Sequence, residues 1–184
     1  MILPVYGYGT PVLRKVAKEI DKNFDKLNEL IQNMTETMHQ SDGVGLAAPQ
    51  IGKSIRLFII DASPLEEDDE SLKDFKKTFI NAQIIEEEGK EWDFKEGCLS
   101  LPGIREEVRR KPKIRIQYYD ENFNFYDEYY NGIKARIIQH EHDHTEGILF
   151  TDRLSPLKKR LLKARLTAIT KGKVSIEYKM KFAV

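Results

Sequence analysis

The 184-residue sequence has a single cysteine, no excess of either charge and no long apolar run, and each of these features excludes a class of protein. One cysteine cannot form an intrachain disulfide, so a small secreted scaffold held by disulfides is excluded. Thirty basic and thirty acidic residues give zero net charge, which argues against a protein dedicated to binding nucleic acid. No apolar stretch approaches the roughly 20 residues that a membrane-spanning helix needs, so we expect no membrane partner.

The composition is typical of a folded chain of one domain. Hydrophobic residues make up 40% of the sequence and charged residues 33%, which excludes a disordered protein. We expect one domain over residues 1–184, with an acidic surface loop at about 64–77 and a C-terminal extension at about 156–184 made of a helix and a strand. The first residues lack the basic start and apolar stretch of a signal peptide, so the expected location is cytoplasmic.

The spacing of apolar residues predicts both helices and strands. Helical spacing predicts helices over residues 10–21, 24–39, 133–144 and 156–169. Buried or alternating patterns predict strands at 56–61 and within 77–88, a hairpin formed by 113–119 and 123–130, and a closing strand over 174–182. Short strands mixed with separate helices indicate an α+β fold, in which small mixed or antiparallel sheets pack around a central helix, here residues 133–144.

Three of the four histidines lie within residues 140–144, in the order His-Glu-His-Asp-His. On a helix with about 100° per residue, His140 and His144 are roughly 40° apart, so both imidazoles can bind one metal ion. His142 is about 200° from His140 and points away. The alternative is a surface helix that carries two histidines by chance. The His-Glu-x-x-His pattern therefore indicates a metal site provided that a third ligand is available.

A catalytic metal site needs a third protein ligand and an open position for water. The motif continues like that of the metzincin peptidases, but Phe150 stands where their third histidine falls, and a phenyl ring cannot bind metal. Apart from the distant His39, the remaining soft ligand is Cys98, on a turn-like segment between Gly97 and Ser100. Lone cysteines are more often small buried apolar residues, so metal binding by Cys98 is a hypothesis at this point.

Glu141 directly follows the first histidine of the pair, so it would lie beside a water at the open position without binding the metal. Such a carboxylate can accept the proton of the water and pass it to a leaving amine. Two other kinds of protein stay open as alternatives. A zincin-like metallopeptidase would cut internal peptide bonds, and a structural metal module would need a fourth protein ligand.

The segment Gly43-Val44-Gly45-Leu46-Ala47-Ala48-Pro49-Gln50 superficially matches the glycine fingerprint of dinucleotide-binding proteins. A predicted helix precedes it instead of a strand, and Pro49 stands where the phosphate-binding helix should already run, so nucleotide binding is not expected. The pattern favours a turn of small residues packed against the core. Alternatively, its glycines let backbone groups approach a substrate, with Gln50 offering an amide donor.

Together, three segments resemble the signature motifs of the peptide deformylase family, in that family's order and spacing. They are Gly43-Val44-Gly45-Leu46-Ala47-Ala48-Pro49-Gln50, Glu96-Gly97-Cys98-Leu99-Ser100 and Gln139-His140-Glu141-His142-Asp143-His144. The resemblance extends from residues 9–14 to residues 152–156 and covers most of the chain. It implies a single catalytic domain that removes the formyl group from N-formylmethionyl nascent polypeptides and releases formate, with the zincin-like metallopeptidase as the alternative.

The resemblance also implies roles for individual residues. The residues that would hold the metal are Cys98, His140 and His144. Glu141 would act as general base and then as general acid. The side-chain amide of Gln50 and the backbone N–H of Leu99 would stabilise the oxyanion that forms at the formyl carbon.

On the substrate side, the resemblance implies that the peptide pairs like an added strand with the backbone around Val44, Gly45 and Gly97. The residues around an apolar pocket for the methionine would be Val44, Ile137 and His140. Arg105 matches a family position that helps to orient the substrate or the loops of the active site.

Metal and partners are also implied by the resemblance. The ligand set alone favours zinc, whereas the family resemblance implies Fe2+ as the native ion, with zinc, nickel or cobalt often found in its place. Some family members dock on the ribosome through a C-terminal extension, and the basic residues of 156–173 suggest the same contact here. The expected partners are N-formylmethionyl peptides and, as a candidate, the ribosome near its exit tunnel. We expect a monomer.

Overall fold

The computed structural model describes residues 1–67 and 69–183. Within them the chain forms three α-helices and nine β-strands, connected in part by short 3-10 helices. In chain order the elements are β1 (Val5–Tyr6), α1 (Leu27–Gln40), β2 (Gly45–Ala47), β3 (Leu57–Asp61), β4 (Lys76–Glu88), β5 (Trp92–Gly97), β6 (Arg105–Arg110), β7 (Lys113–Tyr119), β8 (Phe125–Asn131), α2 (Gly132–Thr145), α3 (Pro156–Thr170) and β9 (Met180–Lys181).

Five strands form the main sheet in the order β2-β3-β4-β7-β8, and each neighbouring pair is antiparallel. β5 and β6 pair as a separate antiparallel hairpin, and β1 pairs with β9 in parallel. Alternate side chains of β7, namely Ile114, Ile116 and Tyr118, are buried, as expected for a strand with one face on the core. The predicted α+β fold with small mixed and antiparallel sheets is therefore confirmed.

The second helix, α2, lies against the main sheet and contacts β2, β3, β4, β7 and β8. Ten of its fourteen residues are buried, whereas an ordinary surface helix buries only one stripe. Ala135 and Ile138 pack in the same apolar cluster as Phe58 and Phe79 of the sheet. This helix carries residues 140–144 into the interior of the protein.

The predicted helix over residues 10–21 is wrong. The chain forms one 3-10 turn at Pro11–Arg14 and then runs extended. Other segments hold the extended part, since Ala17 N donates to Thr145 O at 2.8 Å and Lys18 N donates to a loop carbonyl at 3.0 Å. The apolar spacing that suggested a helix depended partly on Val16, which is exposed.

The other predicted helices and the main strands are confirmed, with small shifts at their ends. α1 begins at Leu27 instead of residue 24, because Lys26 has a left-handed backbone with φ of 57° that cannot continue into a helix. α2 and α3 begin and end within one residue of the prediction. The predicted hairpin corresponds to β7 and β8.

The sequence patterns missed β2 and the β5–β6 hairpin and overstated the closing strand. β5 and β6 are rich in charged residues, which hides the alternation typical of a strand. In the described part of the C-terminal tail, only Met180–Lys181 pairs with β1. Residues 174–182 nevertheless alternate between half-buried and exposed. The predicted alternation of side chains is therefore present, although most of the segment is not paired as a strand.

The expected acidic loop at 64–77 contains two short 3-10 helices, Ser63–Leu65 and Glu70–Leu72. Leu72 and Phe75 reach the core, which ties the loop to the main sheet before β4 begins. Asp68, in the middle of the acidic run, lies outside the described residues.

Candidate metal centre

The side chains of the three predicted metal ligands lie close together. Cys98 directly follows β5, while His140 and His144 are one turn apart on α2. One ligand atom of each lies within 4.8 Å of the other two, and among residues 1–67 and 69–183 this is the one group of this kind. Cys98 Sγ is 3.3 Å from His144 Nε2, near the roughly 3.6 Å expected for sulfur and nitrogen ligands of one tetrahedral ion. The donor set therefore fits a divalent metal.

The orientation of the two histidines also suits a metal. His140 Nδ1 is 2.9 Å from a carboxylate oxygen of Glu96, which leaves Nε2 available as the ligand atom. Burial lowers the pKa of His144 to about 3, so its imidazole is neutral, the form that binds metal. His142 Nε2 instead lies 3.6 Å from Glu146, so the prediction that His142 points away is confirmed.

Glu96 is the centre of a buried ion-pair network that the sequence analysis missed. Its carboxylate accepts hydrogen bonds from Arg110 Nε and Nη2, at 2.7 and 3.0 Å, and from Arg136 Nη1 at 2.9 Å. Arg110 also donates to Asp143 at 2.8 Å. Although burial opposes it, the hydrogen bonds from His140 and Arg110 hold the pKa of Glu96 well below its usual range. The carboxylate that orients His140 is therefore ionised.

A signal for Glu96 was present in the sequence. It stands in the second motif, two residues before Cys98, and a carboxylate so close to a metal ligand is a natural partner for a ligating histidine. Arg110 and Arg136 carried no comparable signal, because they lie on β6 and α2 and meet Glu96 only in the folded protein.

Glu141 follows His140 on α2 and is not one of the three grouped ligands. Its side chain lies against the Gly45 backbone, where a Cβ built on Gly45 would be 2.7 Å from Glu141 Cδ. Its Oε2 atom is buried and has no hydrogen-bond partner among the described residues. Burial raises the pKa of Glu141 to about 7, and a cation beside it would lower that pKa again. An unpaired carboxylate next to a metal ligand is placed to accept a proton.

Gln50 lies beside the Cys98 ligand. Its Oε1 accepts a hydrogen bond from Ala47 N at 2.8 Å, which fixes the amide so that Nε2 points at Cys98 Sγ, 3.4 Å away, and at Ser100 Oγ, 3.3 Å away. Leu99 follows Cys98 in the chain, so its N–H belongs to the peptide that joins the two residues. The Gln50 amide and the Leu99 N–H therefore both lie beside the proposed cysteine ligand, which is where donors of an oxyanion hole would be needed.

The strand β2 is at the edge of the main sheet, next to β3. The Val44 carbonyl accepts a hydrogen bond from Asp61 N at 3.0 Å, on the side of β3. Because antiparallel pairing alternates, the N–H and C=O of the next residue, Gly45, are directed to the opposite side. Val44 and Gly45 are both predicted to pair with the peptide. Of the two, Gly45 is the residue whose N–H and C=O face away from the sheet.

The other predicted substrate-binding residues fall in two places. Gly97 ends β5 directly opposite Arg105 on β6, and the Arg105 side chain lies over it, since a Cβ built on Gly97 would be 3.2 Å from Arg105 Cγ. Val44 and Ile137 belong to the same apolar cluster. Val44 and Ile137 therefore share one apolar region of the core, and Arg105 lies against Gly97.

The fold and the site together define a class of protein. An α+β fold buries a helix that carries two imidazoles able to bind a metal ion and a carboxylate with an unpartnered buried oxygen. A cysteine completes a group of three side chains that could hold a metal, and a tetrahedral ion bound by three protein ligands would keep one position open. With amide donors alongside, this arrangement suits the metal-dependent hydrolysis of an amide bond.

Comparison with known proteins agrees with a metal-dependent amide hydrolase and identifies one family within that class. A model of the polypeptide deformylase family matches residues 2–160. The chain belongs to this family of metal-dependent hydrolases, which remove the N-formyl group from nascent polypeptides. The resemblance found in the sequence is confirmed, and nothing in these comparisons favours the zincin-like alternative.

The similarity extends over nearly the whole chain. Peptide deformylases of Christiangramia forsetii and Flavobacterium psychrophilum are 57% and 56% identical to it, over 99% and 98% of this chain and 96% and 97% of theirs. A crystal structure of a peptide deformylase from Legionella pneumophila superposes with a TM-score of 0.81 at 35% identity, covering 94% of this chain and 98% of that one. A Plasmodium falciparum peptide deformylase structure gives 0.82 at 33% identity, covering 91% and 95%.

One further finding concerns membranes. Among the residues that the structure describes, no helix is both long enough and apolar enough to span a bilayer.

Proposed function

We propose that residues 1–184 act as a single catalytic domain in which Cys98, His140 and His144 hold one divalent metal ion for deformylation. The observation that carries this proposal is the approach of the three ligand atoms to within 4.8 Å of one another. When bound, the ion supplies Lewis-acid activation of water and of the formyl carbonyl. The other steps are assigned to residues of the chain itself.

Glu141 accepts a proton from the attacking water, whose oxygen forms a bond to the formyl carbon. Gln50 Nε2 and the Leu99 N–H donate hydrogen bonds to the formyl oxygen, on which negative charge develops. Glu141 then gives the proton to the methionine nitrogen as the C–N bond breaks. The products are formate and a peptide with a free amino terminus.

N-formylmethionyl peptides are the proposed substrates, bound as an added strand beside β2. The direction of the Gly45 N–H and C=O, away from β3, supports this mode of binding. Gly97 would pair with the peptide from the other side. Val44 and Ile137, which share an apolar cluster, would contact the methionine side chain, and Arg105 would orient the peptide or the Gly97 backbone.

Fe2+ is the proposed native metal. One thiolate and two imidazoles accept several divalent ions, including zinc, nickel and cobalt, so the choice of iron rests on the family resemblance. Because a thiolate beside iron is open to oxidation, the protein should be purified without oxygen. Metal analysis of such a preparation is expected to find iron, and zinc as its sole metal would contradict the proposal.

The ribosome is a proposed second partner, through the basic face of α3. Lys159, Arg160 and Lys163 are exposed, whereas Lys158 contacts Glu106 at 3.3 Å. The three exposed cations suit a salt-dependent contact with RNA phosphates. Changing all three to Glu should weaken co-sedimentation with ribosomes, and unchanged co-sedimentation would contradict this partner. The enzyme is also proposed to be a monomer and to lie in the cytoplasm, the compartment in which nascent chains emerge from the ribosome.

Two single variants test the assignment of ligands and base. Cys98→Ala removes a ligand and should lose the metal, whereas Glu141→Ala keeps all three ligands and the metal but should lower kcat by about 1,000-fold. Formate release from a formyl-Met dipeptide and metal content are measured on the same samples. A Cys98→Ala protein that retains its metal, or a Glu141→Ala protein with the wild-type kcat, would contradict the assignment.

A further inference from the structure

The loop after β5 carries both the Cys98 ligand and the Leu99 N–H, and three consecutive carbonyl groups fix its path. The Cys98 and Ser100 carbonyls accept backbone N–H groups, at 2.9 and 2.8 Å. Between them, the Leu99 carbonyl accepts a hydrogen bond from the hydroxyl of Tyr178 at 2.7 Å. The middle carbonyl of the loop is therefore held by a side chain, and this contact can be removed without altering the loop itself.

Tyr178 belongs to the C-terminal tail, beyond the residues 2–160 that match the family model. The tail is held against β1, because Val5 N donates to Lys179 O at 2.8 Å and Gly7 N donates to Lys181 O at 2.9 Å. Tyr178 is one of the half-buried residues in the alternating pattern of the tail. The pairing of β1 with β9 thus directs the Tyr178 side chain inward, to the loop that carries the metal ligand.

We propose that Tyr178 is a positioning residue for deformylation and that the C-terminal tail acts on the metal centre through it. Its hydroxyl fixes the planar peptide group that joins Leu99 to Ser100. The preceding peptide group carries the Leu99 N–H and is held at its Cys98 carbonyl by Leu101 N, so the two hydrogen bonds together restrict the φ and ψ of Leu99 and with them the direction of its N–H. The inference rests on the proposed role of the Leu99 N–H as an oxyanion donor. A donor that stabilises charge in the transition state must be aimed at the position of the oxyanion, so a looser loop lowers kcat.

The Tyr178 hydroxyl could instead serve only to hold the tail in place. A matched variant separates this structural role from the positioning of the Leu99 N–H. The Tyr6 hydroxyl lies 3.4 Å from Lys181 Nζ, across the pairing of β1 with β9. Tyr6→Phe therefore removes one hydroxyl between the tail and β1 and leaves the contact with Leu99 intact. Tyr178→Phe removes the hydroxyl on Leu99 and keeps the aromatic ring.

The test compares the wild-type protein, Tyr178→Phe and Tyr6→Phe by steady-state kinetics on a formyl-Met dipeptide, with rates divided by metal content. Loss of the hydrogen bond that positions the oxyanion donor should lower kcat of Tyr178→Phe by about ten-fold, with KM within about two-fold of wild type. Tyr6→Phe should keep the wild-type kcat.

Several results would overturn the inference. They are a wild-type kcat per metal ion in Tyr178→Phe and an equal fall in kcat in Tyr6→Phe. A Tyr178→Phe protein whose deficit disappears on division by metal content would also overturn it, because the hydroxyl would then serve only metal retention. Absence of formate release by the wild-type protein would identify a failure of the proposed function, and the inference would fall with it.

Discussion

At the scale of single residues, the orientation of His140 depends on Glu96, which is buried between Arg110 and Arg136. A neutral amide cannot balance two buried guanidinium groups, so Glu96→Gln should lower the free energy of unfolding by about 3 kcal/mol. The change also weakens the restraint on His140, so the affinity for the metal should fall by about ten-fold. Urea unfolding and competition with a chelator measure the two effects.

A surface glutamate provides the control for Glu96. Glu88 forms an ion pair with Lys113 at 2.9 Å, and both side chains are well exposed. Solvent screens such a pair, so Glu88→Gln should leave the unfolding curve and the metal affinity unchanged. Equal effects of the two substitutions would show that burial of Glu96 has no special importance.

Gly45 gives a second prediction at this scale. A Cβ at this position would lie 2.7 Å from Glu141 Cδ, far inside the ordinary contact distance. Gly45→Ala should therefore displace the Glu141 carboxylate and lower kcat by about 100-fold, because small errors in the placement of a base are costly. Metal content should stay at the wild-type level, since the three ligands are untouched. A Gly45→Ala protein that retains full kcat would show that the close approach of Gly45 to Glu141 is not required.

The residues of the site differ in how far they could be predicted. His140, Glu141 and His144 are predictable because their relation depends only on the local geometry of one helix. The contacts of Glu96 with two arginines, and of Gly45 with Glu141, join segments that are far apart in sequence. No periodicity within one segment reports such contacts, so only the folded structure gives their physical reason.

At the scale of secondary-structure elements, α3 offers two neighbouring leucines in opposite environments. Leu162 is 4% exposed and packs in an apolar cluster, whereas Leu161 is 71% exposed. Leu162→Ala should lower the free energy of unfolding by about 3 kcal/mol, because it leaves a cavity. Leu161→Ala should have no measurable effect in the same urea titration. The reverse order of the two effects would contradict the described orientation of α3.

Elements with strong local signals were predicted well, and elements defined by pairing were not. α2 and α3 have continuous helical patterns, and the β7–β8 hairpin has clear alternation on both sides of its turn. Residues 15–20 have a helical spacing of apolar side chains but are extended, since their backbone groups bond to other segments. The short strand β2 is defined by its partner β3, and its own sequence of small residues carries little information.

At the scale of the whole molecule, the proposed metal would connect separate parts of the core. Cys98 packs against the apolar cluster that includes α3, whereas α2, which carries both histidines, packs against the main sheet. A ligand that binds only the folded state stabilises it, by about 4 kcal/mol at a concentration 1,000 times its Kd. Chelation should therefore lower the Tm of the protein by about 10 °C.

The control for this effect is Cys98→Ala, which lacks one of the proposed ligands. Its Tm should be low at the outset and should not respond to the chelator, because little metal is bound. A chelator that lowers the Tm of both proteins equally would indicate that its effect does not arise at Cys98, His140 and His144.

The most direct test of the account is formate release from a formyl-Met dipeptide by protein stripped of metal and then reloaded with Fe2+ in the absence of oxygen. The account predicts that the stripped protein is inactive, that activity returns in proportion to bound iron, and that it reaches its full value at one ion per chain. Reloaded protein that binds one iron per chain and releases no formate would contradict it.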